Sequence, residues 1–203
     1  DIKDLYSRTA LHCLSGIQNK KHSPELQESI NLLLGDSDPV MDDRRKSDIN
    51  AVTCNGETPL HIAARLGEKE TILTLIRHGA DIMHTTINVK PPITYVDPAV
   101  MESYLDECIE SNEHSPMQED YLLTLDYSFL YPEKENSANC NNKKNKKRNP
   151  EMPTLKYFSG KQQFRHLLKH PIISSFIELK WHKVRFVFYT NFLLYSIFLA
   201  VLE

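Results

Sequence analysis

The 203-residue sequence predicts a mainly α-helical chain: a solenoid of short helix pairs, a linker with one possible short strand, then an interfacial helix and one membrane-crossing helix. Three observations predict it. A Thr-x-Leu-His element occurs twice, at Thr9–His12 and Thr58–His61, each time opening a short apolar helical pattern. Charge is segregated: residues 1–140 hold 12 basic and 24 acidic side chains, residues 141–185 hold 12 basic and 2 acidic. Residues 186–202 hold no charge at all. A single soluble globule mixes its charges more evenly, so at least three regimes are joined.

The repeat block is the most specific signal. Leu60, Ile62, Ala63 and Ala64 give one helical pattern over 59–66; Ile72, Leu73, Leu75 and Ile76 give a second over 69–77. Thr58 is placed as an N-cap with Pro59 at the first helical position, where its missing N–H costs nothing. Gly67 separates the two helices and Gly79 stands where a helix C-cap belongs. This block resembles an ankyrin repeat, with Thr58-Pro59-Leu60-His61, Ala63-Ala64, Gly67, Leu75 and Gly79-Ala80-Asp81 in register. An earlier copy opens at Thr9-Ala10-Leu11-His12. Its histidine precedes His61 by 49 residues, so longer loops are expected around 16–24 and 35–46. Between them a helix over 24–34 keeps Leu26, Ile30, Leu33 and Leu34 on one side. A third copy has decayed to Pro91-Pro92-Ile93-Thr94. The resemblance implies that Thr9, Leu11, His12, Thr58, Pro59, Leu60, His61, Ala63, Gly67 and Gly79 are structural, the Thr and His tying neighbouring turns together. One repeat cannot bury its own apolar face and about three are needed, so further repeats are expected upstream of Asp1.

After the repeats, placed at 1–96, Asp97 can cap a helix beginning at Pro98, with Val100, Met101, Leu105, Cys108 and Ile109 on its apolar face. Residues 120–132 are aromatic and partly alternating, which fits a short strand with no visible partner; 97–132 form the post-repeat segment. Residues 133–153, with the run Lys143-Lys144-Asn145-Lys146-Lys147-Arg148, read as a basic disordered linker. No aromatic side chains interleave with that run, so nucleic acid is not an expected partner. A helical pattern resumes at Thr154 and runs through Phe158, Phe164, Leu167 and Leu168 to Pro171. His166 and His170 share one face but lack a third ligand, so no metal is expected.

The pre-membrane segment 154–185 ends in His170, Pro171, Leu179, Lys180, Trp181, Lys183 and Arg185, the residues expected to meet the membrane interface. Phe186 to Leu202 is then apolar except for Thr190, Asn191 and Ser196. At 1.5 Å per residue it reaches about 25 Å against a hydrocarbon core of about 30 Å. Segment 186–203 is therefore read as a truncated transmembrane helix. The flanking Lys and Arg place residues 1–185 in the cytoplasm by the positive-inside rule.

Other classes are disfavoured. With 6 Gly and no Gly-x-Gly cluster there is no phosphate-cradling loop. No HExxH or nucleophile setting stands out, and no cofactor is implied. Cys13, Cys54, Cys108 and Cys140 are scattered, without CxxC or zinc-finger spacing, and read as reduced thiols. The start at Asp1 without Met and the apolar end suggest a piece of a longer protein.

Four elements in order resemble the ankyrin-type transient receptor potential (TRPA) family, most like an invertebrate member. They are the repeats, Tyr104-Leu105-Asp106-Glu107-Cys108-Ile109, the aromatic Asp126-Tyr127-Ser128-Phe129-Leu130, and the junction Leu167-Leu168-Lys169-His170-Pro171 with Leu179-Lys180-Trp181. The resemblance implies a homotetrameric, non-selective, calcium-permeable cation channel of the plasma membrane, serving sensory responses to heat, irritants or mechanical stimuli. It implies the lipid bilayer as a partner, protein partners on the repeat surface, and a pore that lies outside this sequence. A second reading is a tail-anchored ankyrin adaptor, held by the same apolar segment.

Overall fold

A computed structural model of the chain describes residues 2–17, 23–35, 47–86, 89–112, 121–130 and 151–202. Seven α-helices are described: α1 (Ala10–Ser15), α2 (Ser23–Leu34), α3 (Pro59–Leu66), α4 (Lys69–Arg77), α5 (Pro98–Glu107), α6 (Glu151–Gly160) and α7 (Pro171–Leu202). Most of the expected long loops (18–22 and 36–46), the Lys143–Arg148 run, Cys140 and nearly all of the 133–153 linker lie outside the described residues.

Thr9 and Thr58 have extended backbones, and each takes part in a reciprocal cap with the histidine three residues on. That starts α1 and α3 abruptly. α3 ends at Gly67, whose left-handed φ of 73° lets its N–H reach Ala63 and Ala64 carbonyls. α1 packs on α3, α2 on α4, and each first helix on its own second helix. Successive repeats therefore stack in two layers. In the third unit the first helix shrinks to one 3-10 turn, Pro92–Thr94, which packs on α3. Pro91 is the N-cap of that turn and Pro92 its first residue, where a missing N–H costs nothing. α5 packs on α4, as α4 packs on α2.

The linker strand finds its partner next to α5. β1 (Ile109–Ser111) and β2 (Leu123–Leu125) pair antiparallel with Ile109 opposite Leu125 and Ser111 opposite Leu123. The helical pattern read from Thr154 to Pro171 falls into two pieces. α6 stops at Gly160, Lys161 is extended, and a 3-10 segment follows at Gln162–Lys169. Glycine is a poor helix former, and Phe164 and Leu167 are both buried by the tighter winding.

The C-terminal expectation needs correction. The interfacial and transmembrane helices are not separate: α7 is one helix of 32 residues. Among the described residues no helix is long and apolar enough to cross a membrane. The apolar stretch whose side chains are described, Phe186 to Ala200, reaches only about 22 Å at 1.5 Å per residue, against about 30 Å of hydrocarbon. Tyr189, Thr190, Asn191, Tyr195 and Ser196 dilute it further, and Lys183 and Arg185 precede it.

One apolar cluster runs through the molecule. It links Leu11 and Ile30 of the first repeat with Leu60, Ile72 and Leu75 of the second. It continues through Ile93, Met101 and Leu105 to Phe158, Phe164, Leu167, Ile172 and Phe176. The repeats, the 3-10 segment and the first turns of α7 thus share a core.

Two glycines separate the backbone requirement from the packing one. Gly56 has φ 80°, and a Cβ there would lie 2.6 Å from Thr86 Oγ1, whereas at Gly67 nothing lies within 4 Å. Gly67→Ala is expected to cost the left-handed penalty alone, about 1–2 kcal/mol. Gly56→Ala should cost clearly more. Urea unfolding followed by circular dichroism checks the order, and equal costs would contradict this packing.

Candidate functional site

The motif histidines are links between repeats. Thr9 N–H donates to His12 Nδ1 at 3.1 Å, and Thr58 N–H donates to His61 Nδ1 at 3.0 Å. Each Thr hydroxyl lies within 2.9 Å of the same ring nitrogen. A nitrogen that accepts from a backbone N–H carries no proton, so the proton sits on Nε2. His12 Nε2 donates to the Glu57 carbonyl at 3.1 Å, and His61 Nε2 to the Lys90 carbonyl at 3.0 Å. Both acceptors belong to the following unit. Burial lowers the pKa of both imidazoles, against the opposing pull of those carbonyls. Around them Leu11, Leu60 and Ala63 are core residues, Pro59 opens α3, and Gly79 has a positive φ.

α5 carries the stack to the C-terminal region on two stripes of its surface. On one, Glu107 accepts two bonds of 2.8 Å from the Arg77 guanidinium, and Lys69 Nζ donates to Ser103 Oγ at 3.3 Å. Both partners belong to α4. On the other, Asp106 Oδ1 lies 3.0 Å from His170 Nε2, and Glu102 Oε2 lies 3.9 Å from His166 Nε2. Between the stripes Met101, Tyr104 and Leu105 are buried. Tyr104 meets Phe129 edge-to-face with ring centres 6.0 Å apart. The aromatic linker reaches α7 directly: Tyr127 O–H and Ser175 Oγ are 3.0 Å apart, and the Tyr127 ring lies 5.5 Å from Phe176.

The sequence-predicted junction residues divide. His170 and Pro171 stand where α7 begins, the histidine ring against α5. Leu179, Trp181, Lys183 and Arg185 lie along α7 and are exposed; Lys180 Nζ sits 5.2 Å over the Phe176 ring. From Phe186 to Leu199 every large apolar side chain is 46–74% exposed. An apolar stripe would show burial on one face; here the apolar side chains are exposed on every side of the helix, with Thr190, Asn191 and Ser196 among them. Sequence reasoning missed Glu102 and Ser175, and placed Asp106 and Tyr127 in motifs without assigning them these contacts. Their partners are 48 to 64 residues away, and no local spacing marks such contacts.

Among the described residues Cys13 and Cys54 are exposed and Cys108 is buried. Burial pushes the Cys108 thiol up to about 11, although a hydrogen bond with Tyr104 pulls the other way. A hollow of about 500 Å³ beside it is lined by Arg77, Tyr104, Glu107, Cys108, Glu110, Thr124 and Asp126. No group of three His, Cys, Asp or Glu is arranged there or elsewhere among the described residues to hold a metal ion.

With this geometry in view, comparison with known proteins is informative. A family profile for ankyrin repeats, in three copies, matches residues 1–86. The chain is similar to the transient receptor potential cation channel protein painless of Drosophila melanogaster, 33% identical over 153 residues. That match covers 75% of this chain and 16% of the fly protein. The chain thus contains an ankyrin-repeat region and resembles a short portion of a cation channel.

The histidine links make a signed prediction. Because the folded pKa of His12 and His61 lies below the unfolded value near 6.5, the neutral-ring stability is fully present above that pH. It is lost as pH falls through 6.5 toward the folded values, by up to about 1.4 kcal/mol per pH unit for each histidine. Denaturant unfolding at pH 7.5, 6 and 5 should show the decline. His61→Gln should start less stable and decline less steeply.

Proposed function

We propose that the chain is the ankyrin-bearing, membrane-proximal portion of a TRPA-type cation channel, non-selective and calcium-permeable, acting in sensory transduction. One observation carries this reading. The similarity to the fly channel runs over 153 residues, longer than the repeat match at 1–86, so it extends past the repeats. A tail-anchored adaptor would need only repeats and an anchor, and is the weaker reading for that reason. Nothing in the repeats or the relative favours an enzyme.

In this reading residues 1–96 form the repeat unit and offer a surface to protein partners. Segments 97–132 and 154–185 connect it to the membrane, and the basic stretch 133–153 lies between them in the chain. Residues 1–185 lie in the cytoplasm, and four copies assemble in the full-length protein. The apolar half of α7 sits in plasma-membrane lipid. Trp181 suits the interface, and Lys180, Lys183 and Arg185 face anionic head groups at roughly 1 kcal/mol each. Displacement of the stack passes through the junction to α7.

Two measurements test this. Deleting residues 154–185 from the full-length channel should abolish stimulus-evoked current while the protein still reaches the membrane; unchanged gating would falsify the coupling. Trp181 is the chain's one tryptophan, so its emission reports on α7 alone. On adding phosphatidylserine-containing vesicles the emission should shift to shorter wavelength. It should not shift once 186–203 are removed.

A further inference from the structure

We propose that α5 is a two-sided relay, with Asp106 and His170 as the positioning residues that set where α7 begins relative to the last full repeat. Its consequence for gating rests on the channel reading above; the contact itself does not.

The two stripes on α5 have the same spacing. Ser103 and Glu107, four residues apart, face α4; Glu102 and Asp106, also four apart, face the 3-10 segment and the start of α7. Residues at this spacing lie one above the other on a helix, so each stripe is a straight edge. The α4 edge is held by a bidentate Arg77–Glu107 pair, the geometrically most exacting kind. A shift of α4 therefore moves α5.

The other edge ends on a residue with several duties. The His170 N–H donates to Leu167 O at 3.0 Å and closes the 3-10 segment. Its carbonyl accepts from Ser174 N–H at 2.9 Å, in the first turn of α7. Its side chain is only 8% exposed, and Nδ1 is buried with no partner among the described residues. Asp106 is thus the one polar anchor of that ring among the described residues. Losing it takes from Nε2 its protein partner, beside an Nδ1 that already has none among the described residues. Asp106 itself is 70% exposed, so changing it disturbs no packing. The Glu102–His166 pair, at 3.9 Å, is a looser contact one turn earlier.

The test is a double-mutant cycle on the whole chain, read by amide hydrogen exchange. Asp106→Ala and His170→Ala should each speed exchange across residues 162–176 by about tenfold or more, as expected for one charge-assisted hydrogen bond. The double variant should add nothing beyond the larger single effect, and exchange in α3 and α4 should not change. Effects that multiply, no change at 162–176, or an equal rise in α3 and α4 would each overturn the relay. Should His170→Ala fail to fold, Asp106→Lys at the same exposed position must loosen 162–176 at least as much as Asp106→Ala; protection there would overturn the proposal. In the full-length protein the single variants should shift the activation threshold in the same direction, again without adding. If the exchange cycle holds and the currents are untouched, the relay stands and its role in gating falls.

Discussion

Each helix pair in this chain has an apolar edge that it cannot bury alone, and the histidine that closes one repeat onto the backbone of the next holds those edges together. His12 reaches 45 residues along the chain to Glu57, and His61 reaches 29 residues to Lys90. Each link is a buried polar contact between units, made by a ring whose other nitrogen is already committed to its own helix start. The arrangement fixes tautomer, helix start and inter-repeat distance at once. The third unit can then dispense with its first helix. Its backbone has been placed by Lys90, and Ile93 and Val96 fill the space beneath.

From that stack the order passes outward through α5. Its buried side chains, Met101, Tyr104 and Leu105, belong to the same cluster as the repeat core and as Phe164, Leu167 and Ile172. The aromatic linker adds a second path, with Phe129 against Tyr104 and Tyr127 against Phe176. Apolar burial supplies cohesion here, and the polar pairs on the flanks of α5 supply register. A long helix that starts on such a platform is directed by it, whatever surrounds its far end.

The sequence made some of this visible and hid the rest for identifiable reasons. Thr58-Pro59-Leu60-His61 is legible because cap, proline and ring act within four residues. Asp97-Pro98 is legible for the same reason: Asp97 accepts from Ala99 N–H at 2.9 Å, and α5 begins where expected. Tyr104 lies outside the expected apolar face of α5, yet it is buried, because its ring packs while its hydroxyl finds polar neighbours. β1 is three residues long and has no alternation to detect, so the strand at Leu123–Leu125 looked partnerless. Gly160 broke a helix that the apolar spacing alone continued. The expected boundary between interfacial and transmembrane helices rested on a change of composition, but no proline or glycine interrupts the chain after Pro171, and α7 runs on. The Asp106–His170 contact spans 64 residues, and nothing local announces it.

The apolar half of α7 leaves its large side chains 46–74% exposed. A helix apolar on every face is stable only when something covers it. The central claim is that the stack and the beginning of α7 move as one unit through α5. Pulsed electron spin resonance measures this most directly, with labels at Glu70→Cys on α4 and Lys183→Cys on α7, and with Cys13, Cys54 and Cys140 replaced by serine. Both labelled positions are exposed. One narrow distance distribution is expected, unchanged when vesicles cover the apolar end. A broad distribution, with α7 swinging freely about Pro171, would contradict it.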